Sequence, residues 1–396
     1  MKKILFVLPH MICGGVEKAL LALIHELPRD EYEISVRVVK SEGDFVSLIP
    51  KYVDYAELPL DEKIRDGLML GGIKSSIRYY IEKKQLLNLA KVSIKILEKD
   101  PLATLVCNFD TILGLEEFYD VAICFHIHMP FIVRYVAEKV KAKIKCAWIH
   151  NDFAMSGFNV KQIKKSLDCY NHYFAVSEQL LDEFVGIFPE YKEKSTIAHN
   201  IVSETYIRSS LTEMNVNEYA RDSINLLTIG RLDKQKGYDL AVEACSILKK
   251  KGYQFNWYVL GNGAEEDNIK NMIKEYGVQD YFHLLGIRIN PYPYIDQCNI
   301  YVQPSKHEGY GIAVAEARML NKPIVCTDFT GARDQIENGK TGSIVGFDVT
   351  EIAEAIENLI LDTEKREAYR INLINSNKSC SDELEQIIIY LAKDGE

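Results

Sequence analysis

At 396 residues, 47% apolar and 26% charged, the chain is too long for one ordinary core and too apolar to stay unfolded, so two domains of about 200 residues each are expected. A net charge of −10 argues against a nucleic-acid binder, and no run of about 18 apolar residues offers a helical membrane span. The nine cysteines form no C-x-x-C pair and read as buried free thiols of a reducing compartment, not as a disulfide framework.

The N-terminus, MKKILFVLPH, pairs two lysines with an apolar run, as a signal peptide does. The run stops at Pro9 and no small-residue cleavage site follows, so a first strand over 4–8 is expected instead. A Gly-Gly turn at Gly14 and Gly15 leads into a helix from Val16 to about Leu27. EISVRVVK, VAICFHI (121–127), IKCAWIH (144–150) and YFAVS (173–177) read as later strands, and Ser177 as the cap of a helix opening at Glu178. The segment Ser203 to Ser223 is polar and strandless, which marks a linker. INLLTIG, FNWYVLG, HLLG, NIYVQPS, KPIVCTD and GSIVG then continue as strands, with helices such as YDLAVEACSILKK and AEEDNIKNMIKEY between them. Strands alternating with helices imply parallel sheets covered on both faces.

The expected division is therefore a Rossmann-like domain over 1–204 and a second over 205–375. A final amphipathic helix within about 376–396 packs back on the first. Two doubly wound α/β domains that face each other leave an interdomain cleft at the carboxyl ends of their strands, where ligands bind.

Charge is uneven. Residues 1–200 hold 26 Lys/Arg against 27 Asp/Glu, whereas the remainder holds 21 against 30. Lys63 to Asp100 nonetheless carries nine basic and four acidic residues, and Phe131 to Lys145 five and one. Such patches suggest an anionic neighbour, the bland alternative being solvated helix faces.

The most informative stretch is PSKHEGYGIAVAE, 304–316. Glu308 and Glu316 lie eight residues apart, separated by Gly309, Tyr310 and Gly311, which open a helix. A helix start aims unpaired N–H groups at a ligand, glycines allow close approach, and two carboxylates can grip a polyhydroxylated molecule from two sides. Gly230 and Arg231 end one strand and Lys236 precedes the next helix, a spacing suited to clamping a diphosphate. His150 ends an apolar strand and is expected to point into the cleft. His126 and His128, at i and i+2, would share a strand face and read as structural. No D-x-D, Walker loop, G-x-S-x-G or H-E-x-x-H is present, so no metal ligand is assigned.

Together these residues resemble the retaining nucleotide-sugar glycosyltransferases of the GT-B fold, in particular glycosyltransferase family 4. GGVE at 14–17 resembles that family's phosphate-contacting loop, GRLDKQKG at 230–237 its Arg/Lys pair, and EGYGIAVAE at 308–316 its E-x7-E motif. KPIVCTDFTGARDQIENGKTGSIV also follows the pattern, with Ala332 where a second glycine is usual. FHIHMP followed by WIHND resembles the paired strands that place the family's histidine, here His150.

The resemblance implies that Glu308 meets the donor sugar and Glu316 the ribose hydroxyls. Arg231 and Lys236 would neutralise the leaving diphosphate, and His150 would contact the sugar. Gly14, Gly15, Gly230, Gly309, Tyr310 and Gly311 would supply backbone to phosphate and sugar, and the backbone up to Arg288 would face the base. It further implies a hexosyltransferase that needs no metal or other cofactor. A UDP-sugar would be the co-substrate and a lipid-linked or polysaccharide glycan the acceptor. The site of action would be cytoplasmic, peripheral at the inner membrane face through the basic patches of the first domain. A nucleotide-sugar epimerase of related fold, or a non-catalytic sugar-nucleotide-binding scaffold partner, are the alternatives.

Overall fold

The computed structural model describes residues 1–69, 73–97, 109–153, 163–211, 216–376 and 381–392. The chain divides into two compact units. One comprises Met1–Val176, Leu180–Ala198 and the chain from Gln386 onward; the other comprises Ser177–Gln179 and His199–Glu385.

The first unit is built on seven strands: β1 (Lys2–Leu8), β2 (Tyr32–Val38), β3 (Asp54–Glu57), β4 (Phe118–Cys124), β5 (Lys141–Ile149), β6 (His172–Ala175) and β7 (Ser195–Ile197). Their order is β3-β2-β1-β4-β5-β6-β7, and every neighbouring pair is parallel. Ile4 to Leu8 are fully buried, as a strand covered on both faces must be. The helix Gly15–Glu26 returns the chain from β1, burying Ala19, Leu20, Leu23 and Ile24 at helical spacing.

The second unit has six: β8 (Ile224–Ile229), β9 (Phe255–Leu260), β10 (Phe282–Leu284), β11 (Ile300–Gln303), β12 (Ile324–Thr327) and β13 (Ser343–Val345). The order β10-β9-β8-β11-β12-β13 is again parallel throughout. Its core packs the helices Tyr238–Lys250 and Val349–Leu361 over Trp257, Val259 and Val302. Trp257 donates its indole N–H to Thr228 Oγ1 (2.9 Å), and Thr228 donates to the Val302 carbonyl (2.6 Å), so the buried polar atoms are paired. Each sheet reverses its strand order at one place, between β1 and β4 and between β8 and β11. That is where a parallel sheet opens a crevice at its carboxyl edge.

Several expectations shift. The strand expected over 121–127 stops at Cys124, because the Met129 N–H donates to the His126 carbonyl (3.2 Å) and Pro130 opens the helix Pro130–Lys139. His126 and His128 therefore lie in a turn and share no strand face. The edge strands β3 and β7 were not foreseen; at four and three residues, with no side chain fully buried, they leave almost no pattern. Within the polar segment Ser203 to Ser223, residues 204–210 form a helix, with Ser203 Oγ accepting the Tyr206 N–H (3.1 Å). The final helix, Ser381–Ala392, lays Tyr390 on the His172 ring (3.9 Å) and buries Ile387 and Leu391.

Five of the described cysteines are buried, and desolvation pushes thiols such as Cys124 and Cys326 up to about 12, which keeps them protonated. Cys107 and Cys380 lie outside the described residues. Among the described residues no helix is long and apolar enough to cross a membrane.

Candidate functional site

The second unit gathers its chemistry at the β8/β11 switch. After β8 the chain turns at Gly230, and Asp233 caps a short 3-10 turn, accepting the N–H groups of Gln235 (3.1 Å) and Lys236 (3.2 Å). Gly237 follows at φ +67, and a Cβ there would collide with the Pro304 carbonyl. Only glycine allows this approach of the post-β8 loop to the post-β11 loop. The contact is sealed by the Lys306 N–H, which donates to the Gln235 carbonyl (2.7 Å). Tyr238 donates to the Gly230 carbonyl (2.8 Å) and fixes the turn from below.

Lys236 Nζ thereby reaches Glu308 Oε1, with 18% and 14% of the two side chains exposed. Ser305 Oγ donates to the same carboxylate oxygen (2.9 Å), and Gln303 Nε2 donates to Ser305 Oγ (2.8 Å). Tyr301 in turn donates to Gln303 Oε1 (2.7 Å). Glu308 is thus aimed by a polar chain rooted in β11. Arg231 is 57% exposed with its nearest carboxylate, Asp233, at 3.7 Å, so its guanidinium is held loosely at the rim.

Gly311, at φ +83, precedes the helix Ile312–Met319, and Glu316 lies on that helix with 2% exposure. The Tyr292 hydroxyl donates to Glu316 Oε1 (3.1 Å). Tyr310 is buried against the His199 ring (5.4 Å), and its carbonyl accepts from Gln335, so the turn presents backbone to its surroundings. Gly331 packs on this turn, and Ala332, where the family pattern has glycine, is fully buried at a helix start without strain. Arg288 donates to the Tyr294 hydroxyl (2.8 Å), Glu218 Oε1 (3.1 Å) and the Leu285 carbonyl (2.7 Å), which fixes the loop after β10.

In the first unit, Gly14 precedes the helix Gly15–Glu26 at the carboxyl end of β1. The buried Glu17 carboxylate folds back under Gly14, 3.2 Å from His10 Nδ1. A Cβ at Gly14 would meet the tip of the Glu17 carboxylate, which would have to shift. His150, one residue past β5, is only 5% exposed. It lies against Phe125 (4.6 Å) and stacks with Trp148 (6.0 Å) instead of projecting outward. Burial, then the neighbouring His126 and His128, hold its pKa well below the usual value, and neither ring nitrogen has a protein partner. It is a neutral imidazole.

The structure brings Glu308, Lys236, Gly230 and the Gly309–Gly311 turn together within one unit, with Arg231 at the rim. Sequence reasoning missed Asp233, Ser305, Gln303, Tyr292 and Glu218. Two left a signal: Asp233 stands where an N-cap would, and Ser305 precedes Glu308 at capping-box spacing. Tyr292 and Glu218 left none, being distant in sequence from what they hold. Among the described residues, no group of three or more His, Cys, Asp or Glu side chains is arranged to hold a metal ion.

Residues 211–375 match the family model for glycosyl transferases, group 1. The capsular polysaccharide biosynthesis glycosyltransferase CapM of Staphylococcus aureus is 28% identical over 217 residues, 53% of this chain and 57% of that protein. The N-acetylgalactosamine-N,N'-diacetylbacillosaminyl-diphospho-undecaprenol 4-alpha-N-acetylgalactosaminyltransferase of Campylobacter jejuni is 28% identical over 192 residues, 48% of this chain and 51% of that one. The chain thus spans about half the length of the curated relatives it matches. Anabaena HepE, solved in complex with UDP and glucose, superposes with a TM-score of 0.73 at 18% identity, covering 99% of this chain and 100% of that one. The fold is GT-B.

Proposed function

We propose, from the match of residues 211–375 to the group 1 glycosyl transferases, that the chain is a retaining hexosyltransferase that uses a UDP-sugar and a lipid-linked or polysaccharide acceptor in cell-surface glycan synthesis. The observation that carries the proposal is the β8/β11 switch, where Lys236, Glu308 and the glycine turn before Ile312 converge.

The charges fit that chemistry. Breaking a glycosyl–phosphate bond leaves positive charge on the sugar and negative charge on the departing diphosphate. Lys236, already positioned, and Arg231, free to swing at the rim, stabilise the leaving group without a metal ion. Glu308 accepts hydrogen bonds from donor hydroxyls while holding Lys236 in place. Glu316, enclosed beside Tyr292, takes the ribose diol. His150, neutral and with both nitrogens unpaired, can donate to one sugar oxygen and accept from another. Retention follows from attack on the face the diphosphate leaves: the acceptor oxygen bonds the anomeric carbon, the carbon–phosphate oxygen bond breaks, and a phosphate oxygen takes the acceptor's proton.

The names of the relatives support the donor and acceptor classes. HepE was solved with UDP and glucose, and the Campylobacter enzyme's name describes a diphospho-undecaprenol acceptor. The reaction would then occur at the cytoplasmic membrane face. Calorimetry with UDP-, GDP- and ADP-sugars, with and without EDTA, tests the reading. Binding of one UDP-sugar, unaltered by EDTA, is expected; no binding of any nucleotide sugar would overturn it. NMR of the product's anomeric proton then decides retention.

A further inference from the structure

Resting on the donor reading above, we propose that His199 is a positioning residue for the nucleotide sugar: a charged imidazolium, clamped between Asp334 and Glu383, holds the Tyr310 turn in the shape that receives the donor. Donor affinity then falls when the clamp loses its proton.

The geometry demands the charged ring. Nε2 of His199 lies 3.7 Å from Asp334 Oδ2, and Nδ1 lies 3.8 Å from Glu383 Oε1. A neutral imidazole carries a proton on one nitrogen only, so its other lone pair would face a carboxylate. The imidazolium offers an N–H to each. The same ring stacks on Tyr310, with centroids 5.4 Å and planes 22° apart. A cation at that range over a phenol face is attracted by the ring's electrons. His199 therefore joins two acids to the aromatic residue at the centre of the Gly309–Gly311 turn. All four residues belong to the second unit.

The backbone of the turn is tied to the same place. Asp334 and Gln335 are neighbours on the short helix Ala332–Gln335. Asp334 faces His199, and Gln335 Nε2 donates to the Tyr310 carbonyl. Gly331, just before that helix, packs so closely on the turn that an added Cβ would lie 3.0 Å from the Gly309 carbonyl oxygen and 3.1 Å from Tyr310 Cα. A change at His199 thus reaches both the ring and the carbonyl of Tyr310. Packing alone leaves the ring room to shift, because a cavity of about 20 Å³ lies beside it, lined also by Asn200, Arg318 and Glu383. That is the space of one water.

The groups that face His199 set the direction of its titration. Asp334 also accepts the Glu178 N–H (3.2 Å), which keeps that carboxylate oriented towards the ring. Glu383 comes from the final helix, and Arg318, on the helix Ile312–Met319, meets Glu383 and Tyr310 across the cavity. Burial by itself would lower the pKa of His199, but Asp334 and Glu383 outweigh it and carry it from 6.5 to about 9. His199 in turn holds the Glu383 carboxyl below its usual value. Burial pushes the Tyr310 hydroxyl up to about 12 against the pull of Arg318, so it keeps its proton while His199 titrates. The ring is charged at neutral pH, and the clamp is lost as pH rises through about 9.

The test is calorimetry with UDP on the full chain between pH 7 and pH 10, with circular dichroism to confirm the fold at each pH. His199→Asn should bind about tenfold more weakly than wild type at pH 7, as for a turn that keeps its competent shape about a tenth of the time. In His199→Arg a guanidinium can pair with both acids and stack on Tyr310, so binding at pH 7 should match wild type. Uracil also titrates in alkaline solution, so the profiles are compared with one another. The ratio of wild-type to His199→Asn affinity should fall from about ten at pH 7 towards one at pH 10, and that of wild type to His199→Arg from about one to about a tenth. If His199→Asn does not fold, the second ratio decides. A His199→Asn chain that binds UDP as wild type does at pH 7, or ratios that stay constant with pH, would overturn the proposal and leave the donor reading intact. Absence of UDP binding in every form would overturn the donor reading, and the proposal with it.

Discussion

At the scale of single residues, the proposed reaction separates groups that would work on the leaving diphosphate from groups that would only hold the donor. Charge on the leaving group grows in the transition state, so Lys236→Ala should lower kcat about 10²- to 10³-fold, with a smaller change in donor KM. Steady-state kinetics measures this, and a kcat within twofold of wild type would remove Lys236 from that role. Glu316→Gln should act on binding instead. It replaces a charged acceptor of hydrogen bonds, each worth about 1.5–3 kcal/mol, so UDP affinity by calorimetry should fall about tenfold or more. Glu308, Glu316, Arg231 and Lys236 were legible in the sequence because their spacing from glycines and strand ends is local. Their supports were not: Tyr292 reaches Glu316 across 24 residues, and Gln303 and Ser305 acquire a role only once β11 fixes their directions.

At the scale of elements, the loops after β8 and β11 work as one piece because Gly237 lets them touch. Gly237→Ala adds the cost of a left-handed alanine, about 1–2 kcal/mol, to a collision with the Pro304 carbonyl. A loss of about 2–4 kcal/mol of stability is expected, together with weaker donor binding as Lys236 moves. Gly252→Ala is the control. Its φ is +86 but nothing lies within 4 Å of the new Cβ, so only the backbone cost of about 1–2 kcal/mol should appear in urea unfolding. Equal losses for the two would mean that the loop contact contributes nothing. The central strands were readable because burial on both faces leaves continuous apolar runs. The edge strands β3 and β7 were not, because a short, half-exposed edge resembles a loop. The strand expected to carry His126 failed for a related reason: an apolar run does not reveal where a turn ends it.

At the scale of the whole molecule, the chain passes between its two units at Val176/Ser177, Ala198/His199 and Glu385/Gln386. One charge cluster stands at all three crossings. His199 Nε2 lies 3.7 Å from Asp334 and Nδ1 3.8 Å from Glu383, and Asp334 also accepts the Glu178 N–H (3.2 Å). Burial lowers the pKa of His199, but the two carboxylates outweigh it and raise it from 6.5 to about 9. The sign follows from the raised value: the stabilisation is complete below about 6.5 and is lost as pH rises through about 9. Thermal melts of wild type should therefore fall between pH 6.5 and 9 more steeply than those of His199→Asn, and parallel curves would refute the linkage.

The sequence by itself determined the alternation of strand and helix, the two-unit organisation and the motifs that gather at the β8/β11 switch. All of these rest on hydrophobic period and short spacings, which act along the chain. Only the tertiary structure decided that Lys236 rests on Glu308, that His150 is buried and neutral, and that His199 joins three crossings. It alone also showed that Lys83, Lys84 and Lys91 are exposed beside Leu86 and Leu87. Those outcomes depend on desolvation and on partners distant in sequence, which no local pattern encodes.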